Sequence, residues 1–130
     1  MPQLIAVSIP DGTNDHTFAP RGIDTNGVAT LVESTGVPIA DRRLTVQRSR
    51  TSQGREKVTF KFTIPVIVNA TVNGVTQSQI TRSAYADVVF SFDGTSTTAE
   101  RAALRNMVVN LLASSAGPAD DLIDNLESLY

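Results

Sequence analysis

The sequence predicts an α+β fold: an N-terminal hairpin, a five-stranded antiparallel sheet, and two C-terminal helices packing on one face of that sheet. Three observations carry this expectation. Residues 55–65 read REKVTFKFTIP, with Arg55, Lys57, Thr59, Lys61 and Thr63 alternating against Val58, Phe60, Phe62 and Ile64. A β-strand sends successive side chains to opposite faces, so this segment has one basic, hydroxyl-bearing face and one apolar face. Two further segments repeat the parity. Arg43, Thr45, Gln47 and Ser49 alternate with Leu44 and Val46, and Thr81, Ser83, Tyr85, Asp87 and Ser91 alternate with Ile80, Ala84, Ala86, Val88, Phe90 and Phe92. Near residue 97 the period changes to that of a helix, and no helical pattern separates one strand from the next, so the sheet is a meander with one wet face.

In chain order, residues 4–9 alternate weakly and end at the turn signal Pro10-Asp11-Gly12. Residues 17–20 supply the second arm of a hairpin. Residues 21–27 read as a loop with Asn26-Gly27 as a tight turn. Residues 28–33 form a strand, and residues 34–41, with Gly36 and Pro38, a turn region. A strand over 44–49 is joined by Thr51-Ser-Gln-Gly54 to the central strand, about 55–68, with Gly54 free to take positive φ. Pro65 marks an edge, a bulge or the end of pairing. Residues 69–78 read as a long polar loop around Asn73-Gly74, and 80–92 as the last strand, ended by Asp93-Gly94.

Thr97-Thr-Ala-Glu100 fits a capping box, with Thr97 as N-cap. Ala103, Leu104, Met107, Val108, Leu111 and Leu112 follow at helical spacing, and residues 113–117 are small and flexible. Pro118 then opens a second helix, with Asp120 and Asp121 at its positive end and Leu122, Ile123, Leu126 and Leu129 as its apolar stripe. Two helices about 10 Å across cover roughly the width of five strands spaced ~4.8 Å apart, which suits a two-layer domain. An unpaired sheet edge invites a second chain, which admits a dimer that continues the sheet.

With 130 residues and 41% hydrophobic content, the chain reads as one domain over 1–130, the sheet region about 4–93 and the helices about 96–129. There is no cysteine, which excludes disulfides, thiolate zinc sites and cysteine nucleophiles. The start, MPQLIAVSIPDG, lacks the basic and apolar parts of a signal peptide, and no apolar run approaches the roughly 18 residues of a membrane span. Net charge is −2, yet Arg42, Arg43, Arg48, Arg50, Arg55, Lys57 and Lys61 crowd one stretch against Glu56 alone. Such a stripe binds phosphate even on an acidic protein; a merely solvated strand face explains it equally well.

No catalytic residue, metal site or cofactor is expected. His16, the only histidine, lies near a turn and reads as a surface residue. Asp120, Asp121 and Asp124 read as helix N-terminal charges rather than cation ligands. RNA binding has more support. Strand-borne Arg and Lys make charge-assisted contacts to phosphate, and Tyr85 on a polar face is covered either by a stacked base or by neighbouring Lys stems.

Together these residues resemble the coat proteins of the single-stranded RNA bacteriophages, the levivirus family, and within it the Q-beta group. The likeness covers nearly the whole chain from about Phe18. It rests on Pro20-Arg-Gly, Asn26-Gly-Val-Ala29, Arg43-Leu-Thr-Val, the 55–65 strand, Thr71-Val-Asn-Gly-Val75, Arg82-Ser-Ala-Tyr-Ala-Asp-Val-Val-Phe-Ser-Phe92, Ser96-Thr-Thr-Ala-Glu-Arg101, Leu111-Leu-Ala-Ser114 and the terminal Leu129-Tyr130. The resemblance implies an intertwined homodimer, two subunits joining sheets edge to edge with each helix pair over the partner's sheet. It implies an icosahedral shell made in the bacterial cytoplasm, with loop 69–78 at the symmetry axes and genomic RNA on the inner, polar sheet face. It also implies capture of an RNA hairpin that represses translation. No membrane partner is implied.

Carried over by position, Val28, Thr45, Thr59 and Lys61 match pockets for unpaired adenines, and Tyr85 matches the tyrosine that stacks on a loop base. Arg43, Arg55 and Lys57 match positions that approach the phosphate backbone, and Asp87 one that is Asp in the Q-beta group. Two positions depart. Gln47 stands where a small hydroxyl residue lines the adenine pocket, so it narrows that pocket or reads another base. Ser49 stands where some members carry a basic residue. Without cysteine, the inter-subunit disulfides of Q-beta-like shells cannot form.

Overall fold

The computed structural model describes residues 3–36, 38–113 and 118–128. Its elements are β1 (Val7–Pro10), β2 (Asp15–Ile23), β3 (Ala29–Glu33), a 3-10 turn (Pro38–Ala40), β4 (Arg42–Arg50), β5 (Glu56–Val72), β6 (Val75–Phe92), α1 (Thr98–Ala113) and a π-type turn (Asp120–Asp124). They fall into two compact units, Met1–Ser91 and Phe92–Tyr130.

The first unit is a six-stranded sheet in chain order, β1-β2-β3-β4-β5-β6. This corrects the expected separation of a hairpin from a five-stranded sheet. β2 is long enough to serve both. Its first half pairs with β1 (Val7↔Phe18 to Pro10↔Asp15), and its second half pairs with β3 (Ala19↔Val32 to Ile23↔Ala29). A register shift between Pro20 and Gly22 re-aims the strand, and Gly22 holds φ 138 there. Residues 21–23, read from sequence as loop, are therefore strand.

The expected connection at 51–54 is present. Thr51 N–H donates to the Arg55 carbonyl (2.8 Å), Gly54 N–H donates to the Thr51 carbonyl (3.0 Å), and Gly54 has φ 79. The expected long loop at 69–78 is not. Asn73 (φ 52) and Gly74 (φ 78) form a two-residue turn, and β5 and β6 run up to it from either side. Two consecutive positive φ values match the twist of antiparallel strands, so the arms continue to the tip. Pro65 lies within β5 but beyond its last pair with β4, Arg43↔Thr63, where the missing N–H costs no bond to that neighbour.

Phe18, Leu31 and Leu44 form the buried cluster of this unit, with Leu4, Ile9, Val46 and Phe62 packed against it. The Phe18 and Phe62 rings meet edge to face, centroids 6.0 Å apart. All the sheet members of this cluster lie on one face. At the rim of that face stands His16. It is not the free surface residue expected; its side chain is 21% exposed and both ring nitrogens are bonded to carboxylates.

In the second unit the capping box is present as read. Thr97 N–H donates to Glu100 Oε2 and Glu100 N–H donates to Thr97 Oγ1, both at 3.2 Å. The second helix is corrected to one π-type turn. Backbone bonds widen from Leu122→Pro118 to Asn125→Asp120 to Glu127→Asp121, and Leu126 then takes φ 57, which ends the helical path. Asp and Asn are weak helix formers, and a segment this short has little cooperative support. Of the expected flexible link 113–117, Ala113 instead ends α1, while 114–117 and the stripe's last member, Leu129, lie outside the described residues. Among the described residues no helix is long and apolar enough to cross a membrane.

Candidate nucleic-acid interface

Register decides which side chains share a face, because directly opposed residues point the same way. Between β4 and β5 the pairs are Arg43↔Thr63, Thr45↔Lys61, Gln47↔Thr59 and Ser49↔Lys57. Each cation thus stands opposite a hydroxyl, and Gln47 stands opposite Thr59. From β3, Thr30 opposes Thr45 and extends the row by one strand. Val28 sits just before β3, half-buried, where its N–H donates to Asp24 Oδ1 at 3.0 Å.

The far end of the row is set by β6. Tyr85 is 74% exposed. It lines a concavity of about 420 Å³ with Arg43, Thr63, Ser83, Asp41 and Ile39. That places Tyr85 on the face of Arg43 and Thr63, and Asp87 follows on the same face by alternation. Arg55, just ahead of β5, is steered toward β6: its Nε donates to Ser91 Oγ at 3.1 Å and its Nη2 to the Ser91 carbonyl at 3.5 Å.

Of the residues read from sequence, register collects Arg43, Thr45, Gln47, Lys57, Thr59 and Lys61, the concavity adds Tyr85, and Ser91 anchors Arg55. Thr30 was missed because its same-parity neighbours Val28 and Val32 are both apolar, so no polar row runs through it. Val89 was also missed. It is 52% exposed and shares the parity of Tyr85, an apolar break in a polar row that alternation alone would have shown.

The basic stripe read as one feature is two. Arg42, Arg48 and Arg50 have the parity of the apolar face, and each meets a carboxylate. Arg48 Nη2 lies 3.1 Å from Glu56 Oε2, Arg50 Nε lies 3.6 Å from Glu56 Oε1, and Arg42 Nη1 is bonded to Glu33 Oε1. On the other face, among the described residues, no carboxylate is paired with Arg43, Lys57 or Lys61. A cation without a counter-charge keeps its field for a polyanion. No group of His, Asp and Glu among the described residues is arranged to hold a metal ion.

Comparison with known proteins gives a consistent result. The Levivirus coat protein family matches residues 2–130. The chain is 43% identical over 117 residues to the capsid protein of Pseudomonas phage PRR1, covering 90% of this chain and 88% of that one. It is 40% identical over 121 residues to the capsid protein of Escherichia virus Qbeta, covering 92% and 90%. Among solved structures, the virus-like particle of Beihai levi-like virus 21 has the same fold, with a TM-score of 0.86 over 99% of both chains at 24% identity. On a family match that spans the sheet, the turns and the helix alike, this chain belongs to the levivirus coat protein family and is a capsid protein of the phage virion.

Proposed function

We propose that the chain dimerises, assembles into an icosahedral shell and binds single-stranded genomic RNA on the face that carries Arg43, Thr45, Lys57, Thr59 and Lys61. The observation that carries this reading is the row of unpaired cations facing hydroxyls across the β4–β5 ladder. Arg43, Arg55 and Lys57 take phosphates. Val28, Thr45, Gln47, Thr59 and Lys61 surround unpaired bases, and the exposed Tyr85 ring stacks on one, beside Asp87. The same surface accepts an RNA hairpin. Residues 1–130 act as one coat-protein domain in the bacterial cytoplasm, without cofactor or enzymatic reaction.

The partner is a second copy. β6 ends the strand order and offers its edge to that copy. α1 carries no buried residue and leaves Leu104, Met107, Leu111 and Leu112 exposed, which suits a helix laid over the partner's sheet.

Negative-stain microscopy of the chain expressed alone in bacteria, with absorbance at nucleic-acid and protein wavelengths, tests the reading. Uniform spherical particles that carry host RNA support it. Particles free of RNA at low salt would remove the polar face as the RNA site, and a monomer would remove the assembly.

A further inference from the structure

His16 is gripped at both ring nitrogens by carboxylates from different parts of the chain. Nε2 lies 2.7 Å from Asp11 Oδ2, and Nδ1 lies 2.8 Å from Glu33 Oε2. Asp11 belongs to the turn between β1 and β2, His16 to β2 and Glu33 to β3. Arg42 of β4 completes the cluster on the other oxygen of Glu33. Only the imidazolium has an N–H at both nitrogens. A neutral ring would turn a lone pair toward a carboxylate oxygen at one of these two short contacts. The site is therefore shaped for the charged ring.

The carboxylate of Asp11 does two jobs. Its Oδ1 accepts from Thr13 N–H and Asn14 N–H, both at 2.8 Å, and so shapes the turn; its Oδ2 holds the ring. Behind the turn, Ile9 of β1 and the preceding Leu4 pack on Phe18, Leu31 and Leu44. Among the described residues, β1 has no strand neighbour except β2. The bridge from Asp11 through His16 to Glu33 is a polar tie between the hairpin tip and β3.

We propose that Asp11, His16, Glu33 and Arg42 form a pH-sensitive latch that holds the β1–β2 hairpin to the sheet while the ring is charged and releases it when the ring is neutral. With His16 charged, two cations meet two anions. With it neutral, the cluster holds two carboxylates and one cation, Arg42, which is bonded to Glu33. The recess beside the ring is otherwise lined by Ile9, Pro10, Phe18, Phe62, Ile64 and Ala86, so β5 and β6 bring no titratable group to it. Asp15, next in the chain, points to the opposite face by alternation.

The direction of the switch follows from the contacts. The hydrogen bond to Asp11, then that to Glu33, raises the His16 pKa above the ordinary imidazole value, against a smaller opposing effect of burial. The contribution is complete below the unfolded value of about 6.5 and is lost as pH rises through the raised folded value. On the acid side, the Asn14 backbone bond, then His16, hold Asp11 far below the usual carboxylate range. Partial burial pushes Glu33 up, but bonds from Arg42 and His16 outweigh it and leave it lowered. The latch is thus closed in mild acid and opens as pH rises through the raised value of His16.

Hydrogen exchange of the full chain, corrected for the intrinsic rate, reads the latch directly. Protection over residues 7–18 should fall about tenfold between pH 6 and pH 9, beyond any change in β4 and β5. Asp11→Asn keeps the turn oxygen and removes the charge, so its midpoint should move to lower pH; His16→Gln should abolish the dependence. Because His16 is the only histidine, a single histidine label gives its titration without ambiguity, and its midpoint should coincide with the loss of protection. Protection that does not change with pH, an unshifted Asp11→Asn midpoint, or a ring titrating at or below the ordinary value would each overturn the latch. If His16→Gln does not fold, Asp11→Asn and the wild-type titration decide alone.

Discussion

The two faces of the β4–β5 pair handle charge in opposite ways. On the face of Leu44, Val46 and Phe62, the basic residues Arg42, Arg48 and Arg50 all meet Glu33 or Glu56. On the face of Thr45 and Thr59, Arg43, Lys57 and Lys61 stand opposite Thr63, Ser49 and Thr45 instead. Partly exposed ion pairs stabilise a fold by only about 0–1 kcal/mol, but each cancels a field. A row of cations left opposite hydroxyls keeps its field and adds donors that can reach phosphate oxygens. The two faces therefore differ in field: charge is cancelled on the apolar face and left standing on the other.

Substitutions can break or sharpen this contrast. The largest effect should come from Phe18→Ala, which empties the centre of the Phe18–Leu31–Leu44 cluster. We expect a loss of about 3–5 kcal/mol in denaturant unfolding, and a small change would mean that this face is not the stabilising one. Lys61→Ala should leave stability intact and weaken RNA binding by about 1–3 kcal/mol, with the salt dependence reduced by about one counterion. An unaltered salt slope would put the RNA elsewhere. Gly54→Ala forces a Cβ into positive φ at the turn that sets the β4–β5 register. It should cost about 1–2 kcal/mol, read as a shifted urea midpoint at constant slope. The smallest effect is expected from Arg48→Ala, which removes a paired cation from the other face. RNA affinity should not change, and stability should change by less than about 1 kcal/mol. A loss of affinity as large as that of Lys61→Ala would erase the distinction between the faces.

Much of this arrangement is legible in residue order. The strict alternation of 55–64 assigns the two faces, Thr97 and Glu100 announce their reciprocal cap, and Gly54 announces its turn. Other elements are not legible, for physical reasons. The arms on either side of Asn73-Gly74 carry Asn, Thr, Gln and Ser, which look like loop, yet the backbone ladder rather than side-chain burial extends them. The stretch after Pro118 has the spacing of a helix but too many helix-weak residues, and it closes as one π-type turn. Arg48 and Arg50 look like members of one basic patch until parity puts them behind the sheet with Glu56. His16 looks solitary because its partners lie 5 and 17 residues away in the chain.

By itself the sequence determined what is local: the two-residue period that sorts side chains to faces, the cap that starts α1 and the glycines that permit the turns. These depend on residues within a few positions of one another. Tertiary structure decided what meets what. The shift between Pro20 and Gly22 and the pairing of β4 with β5 set which cation faces a hydroxyl, which meets a carboxylate, and that His16 is clasped between Asp11 and Glu33. Register is a property of two strands together, and one residue of slip would exchange every such contact.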